Sequence, residues 1–318
     1  MTVLVTGAAG FIGSHLVERL LQVSSDSIIA LDNFNDYYDP DLKRRNVAGF
    51  ASHARVSLVE MDLRRGDEVR RLFDEHEIHR VVHLAAYAGV RFSVASPGVY
   101  VDNNIGGTLS LLEAARARPV ERFVLASSST VYGRGTEAPF VEDRPLGIPQ
   151  SPYGATKRAA ELLGLTYHAL HNVPVVCLRP FSVYGPRLRP DLALSVFAMA
   201  IHRGQTIPLF GDGSVRRDFT HVRDMCDGVI AAMHADGVVG EAINLGHASP
   251  IEMREVIAAL ERHFGRPANI ERLPPRPEDM PLTCADLSKA RRLLDYRPTI
   301  DFADGVADFV EWFRREHP

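Results

Sequence analysis

A few residues from the amino terminus, an apolar run breaks into Val5-Thr6-Gly7-Ala8-Ala9-Gly10-Phe11-Ile12-Gly13, with three glycines spaced three apart and apolar positions at helical spacing beyond them. No other stretch restricts the fold as strongly. The GxxGxxG spelling alone is weak, because glycine supplies 24 of the 318 residues. Here, however, it stands between a strand and a helix, the helix expected from Phe11 to Leu21, and a second apolar run, SIIALD, closes on Asp32. In that arrangement the glycine backbone approaches a pyrophosphate, the helix amino end faces the phosphates, and the acid accepts from a ribose 2'-hydroxyl. Asp32 sets a negative charge where a 2'-phosphate would lie, and no Arg or Lys follows it before Lys43, so the expected cofactor is NAD rather than NADP. Gly7, Gly10, Phe11, Ile12, Gly13, Asp32 and Asn33 make up the first part of its site. Asp62, after the third apolar run VSLVEMD, is placed to reach the adenine edge, with Leu63 beside it.

RVVHLAA, RFVLASSS and VPVVCLRP continue the alternation of strands with helical patterns through residue 180. Near-continuous apolar strands separated by helices predict an α/β fold, a Rossmann-type doubly wound parallel sheet covered on both faces, with ligands at the carboxyl ends of its strands. Residues 1–180 are expected to form this cofactor domain. Residues 181–318, punctuated by proline and glycine, are expected to form mainly a smaller substrate-binding lobe, with helices near 192–203, 221–235, 251–264 and 301–315 and some segments returning to the sheet. With 46% hydrophobic residues, 24% charged residues and a net charge of -4, the chain reads as a soluble globular protein with nothing that favours nucleic acid or a membrane surface. Cys177, Cys226 and Cys284 are scattered, so neither a disulfide framework nor a zinc site is implied, and a reducing cytoplasm fits. The first residues lack the basic leader of a signal peptide, and no apolar run approaches the roughly 20 residues of a membrane span.

LASSSTVYG places the hydroxyls of Ser127, Ser128, Ser129 and Thr130 at the end of the fifth strand, and SPYGATKRAAE places Tyr153 four residues before Lys157. On a helix that spacing puts phenol and ammonium on one face. Either feature alone is ordinary, but beside a cofactor site they read together as catalytic machinery. Tyr153 is then the general base and acid, Ser128 hydrogen-bonds the reacting oxygen, and the Lys157 ammonium and the positive nicotinamide ring are both expected to favour the phenolate. His76, His79 and His83 in HEIHRVVH imitate a metal site, but the segment crosses from helix to strand, so the side chains should diverge and no metal is expected.

The glycine loop, HLAA, the serine cluster and YxxxK together resemble the extended short-chain dehydrogenase/reductases over nearly the whole chain. Within them, LDNFNDYYDPDLKRRN, AGVRFSVASPGVYVDNN, RPFSVYGPRLRPDLA and RRDFTHVRDM are most similar to the UDP-glucuronate 4-epimerases. The resemblance implies a cycle without net redox change. Tyr153 takes the proton of the sugar 4-hydroxyl, a hydride passes from C4 to bound NAD, the 4-keto sugar turns over, and the hydride returns to the opposite face. It further implies that Leu84, Ala85, Ala86 and Asn103 line the cofactor and that Lys157 holds its nicotinamide ribose. Thr130 would meet the substrate beside Ser128, and Arg217 and Arg276 would hold the diphosphate of a UDP-sugar. Asp279 would accept from ribose, and Arg91, Ser182 and Arg189 would line the sugar, Arg189 as a clamp on a C5 carboxylate. The related dehydratases place an Asp-Glu pair, and the decarboxylases a Glu, where this chain has Ser129 and Thr130, so epimerisation is the expected outcome. A neutral-sugar epimerase acting on UDP-glucose or UDP-N-acetylglucosamine is the alternative; a UDP-glucuronate decarboxylase or a non-catalytic NAD-binding protein ranks lower. Apolar stripes in 101–116 and 154–171, both read as helices, match a homodimer interface in such proteins.

Overall fold

The computed structural model describes residues 1–275 and 280–318, so Arg276 and Asp279 lie outside the described residues. The six expected strands form as β1 (Thr2–Thr6), β2 (Ser27–Asp32), β3 (Val56–Glu60), β4 (Arg80–His83), β5 (Arg122–Ala126) and β6 (Val175–Pro180). Beyond them lie β7 (Ser182–Tyr184), β8 (Thr206–Phe210), β9 (Arg216–His221), β10 (Ala242–Leu245), β11 (Pro250–Glu252) and β12 (Asn269–Leu273). A seven-stranded sheet runs in the order β10-β6-β5-β4-β1-β2-β3, every pairing parallel. Val3, Leu4, Val5, Val81, Val82, Phe123, Val124, Val175, Val176 and Cys177 are fully buried, which explains why these strands read as unbroken apolar runs. From β1 the chain moves outward to β2 and β3, then returns to the other side for β4, β5 and β6. The carboxyl ends of β1 and β4 therefore flank a switch point, where an open α/β sheet leaves a crevice for a ligand.

Helices α1 (Phe11–Val23), α2 (Pro40–Val47), α3 (Gly66–Glu75), α4 (Val90–Ala95), α5 (Pro97–Tyr100), α6 (Gly107–Ala117) and α7 (Pro152–His171) connect these strands. Four later helices, Ala193–Arg203, Val222–His234, Met253–Phe264 and Phe302–Glu316, fall where the periodicity predicts them, and a short fifth, Ser288–Leu294, lies outside those expectations. One late segment, β10, lies in the large sheet, while β11-β9-β7 and β12-β8 form two small sheets. The stretch read as one helix over 101–116 is instead a π-helix at Val101–Gly106 running into α6. In this wider turn the buried Asn104 amide donates to the Tyr87 carbonyl at 3.0 Å and to Thr156 Oγ1 at 3.0 Å, and its carbonyl accepts from Tyr87 N at 2.8 Å. Asn104 thereby joins the loop after β4 to α7, a role that helical spacing could not reveal. Among the described residues no helix is long and apolar enough to cross a membrane.

Two buried groups fasten α7 to the sheet. Glu161 and Arg179 on β6 pair with Nη2–Oε1 at 2.5 Å and Nε–Oε2 at 3.1 Å, their side chains 1% and 3% exposed. The Ser127 hydroxyl donates to Glu161 Oε2 at 2.7 Å. The β5 terminus is thus held from behind by a charged pair, one residue from Ser128.

Candidate active site

At the β1–α1 turn Gly7 has φ +71°, and a Cβ on Gly13 would stand 2.0 Å from the Gly7 carbonyl oxygen. Only glycine fits that approach, which leaves a bare backbone at the amino end of α1, where no side chain caps the helix. Asp32 closes the turn: its carboxylate accepts from Ala9 N at 3.0 Å and Phe34 N at 2.9 Å. Burial pushes its pKa up, and the backbone donors and Lys43 oppose that shift. Lys43, which lies eleven residues further on in sequence, comes within electrostatic reach; its ammonium donates to Asn35 O at 2.7 Å and Asn35 Oδ1 at 2.8 Å. Asp62 is held by its neighbour Arg64, Nη2–Oδ2 at 2.6 Å, which lowers its pKa. Leu63 packs under Gly107 of α6. After β4, Leu84 donates to Thr6 O at 3.2 Å, and Ala85 N donates to Thr6 Oγ1 at 3.3 Å, so the Leu84-Ala85-Ala86 segment borders the glycine turn. The Asn103 amide donates to Val99 O at 2.8 Å within its own helical stretch. A bare glycine turn, a carboxylate at the β2 end and this border together fit an adenine dinucleotide.

The hydroxyl cluster and the YxxxK helix meet next to it. Ser151 caps α7 by accepting from Gly154 N at 3.1 Å, and Pro152 opens the first turn. A Cβ on Gly154 would come 2.9 Å from the Thr130 carbonyl, so glycine brings Tyr153 against the serine loop. Thr130 N and Oγ1 both donate to Ser128 Oγ, at 3.2 and 2.9 Å. Ser128 is left with its own proton to donate, and it lies close enough to pull the Tyr153 pKa down. The result is a bonded pair of hydroxyls, Thr130 and Ser128, beside the Tyr153 phenol.

One expectation needs correction. Burial raises the Tyr153 pKa above 10.0, and the groups that pull it back are Ser128 and then the Arg189 guanidinium, not Lys157. Lys157 is buried with its ammonium 2.8 Å from the Ala126 carbonyl, its one hydrogen-bond partner among the described residues. Two N–H groups remain for ligand hydroxyls. Burial lowers its pKa from 10.5 to about 8. An NMR titration of ¹³C-labelled lysine in the cofactor-free protein is expected to show one ammonium deprotonating near that value, absent in Lys157→Met. Folding lowers this pKa, so the unfolded chain holds the extra proton between about 8 and 10.5, and the group's contribution to stability rises with pH across that window.

Arg189 reaches the same region from the segment after β7. Its Nη2 donates to the Ala88 carbonyl at 3.0 Å, its guanidinium lies 5.2 Å from the Tyr37 ring, and its charge acts on Tyr153. Asp191 also pairs with it, Nε–Oδ1 at 2.9 Å and Nη2–Oδ2 at 2.6 Å. Tyr100 packs edge-on to Tyr153, with centroids 6.1 Å apart. Sequence reasoning missed Tyr37, Tyr100 and Asp191, although the tyrosine pair in NDYYDP and the acid two residues after Arg189 were visible. Ser182 opens β7, Arg91 on α4 lies exposed with its guanidinium 5.6 Å from the Phe210 ring, and Arg217 on β9 donates to the Met280 carbonyl at 2.6 Å. Of the three histidines that imitate a metal site, His83 is buried between Thr6 Oγ1 and Thr108 Oγ1, while His79 lies by Thr2 N at the other end of β4.

Residues 3–246 match the model of the NAD dependent epimerase/dehydratase family. The chain belongs to that family, within the extended short-chain dehydrogenase/reductases. It is 41% identical over 310 residues to the UDP-glucuronate 4-epimerase of Thermodesulfobacterium geofontis, covering 97% of this chain and 95% of that protein. It is 40% identical to UDP-glucuronate 4-epimerase 4 of Arabidopsis thaliana, covering 98% and 75%. The crystal structure of UDP-glucuronic acid 4-epimerase from Bacillus cereus in complex with UDP-glucuronic acid and NAD superposes with a TM-score of 0.94 at 37% identity, covering all of both chains.

Proposed function

We propose that this protein is an NAD-dependent isomerase that inverts C4 of a UDP-sugar, converting UDP-glucuronate to UDP-galacturonate through a transient 4-keto sugar. The observation that carries this reading is the Thr130–Ser128 hydroxyl pair set beside the buried Tyr153 phenol, with hydroxyls at Ser129 and Thr130 where elimination chemistry would need a carboxylic acid. NAD, when bound, takes up the hydrogen of C4 with its electron pair and gives it back. The glycine turn at Gly7, Gly10 and Gly13, with Phe11, Ile12, Asp32, Asn33, Asp62 and Leu63, would hold its adenosine diphosphate half. Leu84, Ala85, Ala86, Asn103 and Lys157 would hold the nicotinamide half. Tyr153 accepts the 4-hydroxyl proton and returns it, and Ser128 and Thr130 hold the reacting oxygen in line. Arg91, Ser182, Arg189 and Arg217 are the sugar and diphosphate contacts within the described residues, and Arg276 and Asp279 complete that set. The division at residue 180 into a cofactor domain and a substrate lobe follows this allocation of ligands, and a cytoplasmic location suits a nucleotide-sugar enzyme.

Incubating the NAD-loaded protein separately with UDP-glucuronate, UDP-glucose and UDP-N-acetylglucosamine, then resolving the C4 epimers, tests the reading. Inversion of the uronate ahead of the neutral sugars supports it, and preference for a neutral sugar would replace it with the alternative epimerase. Arg189→Ala should weaken uronate turnover by about 2 kcal/mol, the low end for losing a desolvated charge contact because Asp191 already neutralises the guanidinium, and affect UDP-glucose much less. Steady-state kinetics on both substrates reads that difference.

The protein is further proposed to pair through π-helix–α6 and α7, which expose Val101, Leu109, Leu162 and Leu170 at 48%, 39%, 50% and 70%. Light scattering is expected to give twice the chain mass; a single-chain mass over a wide concentration range would contradict pairing.

A further inference from the structure

We propose that Asp191 is the resident counter-ion of Arg189, and that by holding this guanidinium it sets how strongly the site prefers an anionic sugar over a neutral one. The inference rests on the reading that Arg189 meets the substrate carboxylate. The Arg189 side chain is only 15% exposed, between the Ala88 carbonyl and the Tyr37 ring. A cation so placed is costly without a compensating anion, and Asp191 provides one through both carboxylate oxygens at 2.9 and 2.6 Å. The Tyr37 hydroxyl, 3.4 Å from Asp191 Oδ2, steadies that carboxylate from the opposite lip. Asp191 itself is 38% exposed, so it can swing to solvent without desolvation.

The pair divides the donors of one guanidinium. Nε and Nη2 serve Asp191 and Ala88, and Nη1 has no partner among the described residues. An incoming sugar carboxylate takes Nη1 and competes for Nη2, so two anions then share one cation and Asp191 weakens the hold on the uronate. A neutral sugar leaves the pair intact and strands no buried charge. Asp191 therefore makes the pocket more tolerant than Arg189 alone would, which is specificity set by a competing partner rather than by an added contact.

Equilibrium binding to the NAD-loaded protein tests this, with Tyr153→Phe as the background so that ligands are not converted. UDP-glucuronate, UDP-glucose and UDP are titrated calorimetrically into the Asp191 form and into Asp191→Asn, which keeps the size and one acceptor but removes the charge. The expected result is that Asp191→Asn tightens UDP-glucuronate relative to UDP by about tenfold, the order expected for removing one like charge from a partly screened site, and leaves UDP-glucose unchanged or weaker relative to UDP. Unchanged or weaker uronate binding relative to UDP would overturn the role of Asp191. Arg189→Ala in the same background separates the two ideas. If it costs UDP-glucuronate no more than UDP, the carboxylate contact itself is wrong and the Asp191 proposal falls with it. If it selectively weakens the uronate while Asp191→Asn does nothing, only the Asp191 proposal is lost.

Discussion

Tyr153→Phe is expected to lower turnover by about 100- to 10,000-fold, the usual cost of removing a general acid–base, while the protein keeps its fold and retains NAD. The setting of the phenol explains why the loss should be large. Ser128 receives both hydrogen bonds from Thr130 and keeps its own proton beside the Tyr153 phenol, which in the proposed reaction is the group that exchanges a proton with the substrate. The phenylalanine ring preserves the edge-on packing against Tyr100. Steady-state rates, read beside the cofactor content of the purified variant, check the prediction, and near-normal turnover would remove Tyr153 from the chemistry.

Glu161→Ala is expected to destabilise the protein by about 3–5 kcal/mol, because it leaves the Arg179 guanidinium buried without a counter-charge. Arg179 is 3% exposed, and its remaining partners are the Tyr132 hydroxyl at 3.2 Å and the Glu142 carbonyl at 3.4 Å. Ser127 loses its acceptor in the same variant. Urea unfolding reads the loss. The double variant Glu161→Leu/Arg179→Met should regain about half or more of it, since replacing a buried pair whole costs far less than orphaning one member. A loss under about 1 kcal/mol in Glu161→Ala would mean that water reaches Arg179 and that the pair does not set the β5 terminus.

The parts of this arrangement that were legible in the sequence are those encoded locally. β1, β2, β4, β5 and β6 are largely buried, so each appears as an apolar run, while the edge strand β3 is only partly buried, and the glycines of the β1–α1 turn announce a backbone approach that no side chain permits. Tyr153 and Lys157 share a helix face by spacing alone. Long-range side-chain direction was not legible. Arg189 meets the Ala88 carbonyl across 101 residues, and Asp191 meets the Tyr37 hydroxyl across 154. The proximity of Lys157 to Tyr153 in the chain suggested that the ammonium would lower the phenol's pKa, yet its Nζ turns to the Ala126 carbonyl, and burial dominates both groups. The π-helix at Val101–Gly106 escaped for a similar reason, since the bonds Asn104 makes to Tyr87 and Thr156 are tertiary.

The central claim is that C4 is oxidised and reduced again within one site. UDP-glucuronate carrying deuterium at C4, incubated with the NAD-loaded protein, tests it most directly. The account predicts UDP-galacturonate with deuterium retained at C4 and no carbon dioxide released. Deuterium lost to water, carbon dioxide with a UDP-pentose, or an unchanged substrate would contradict it.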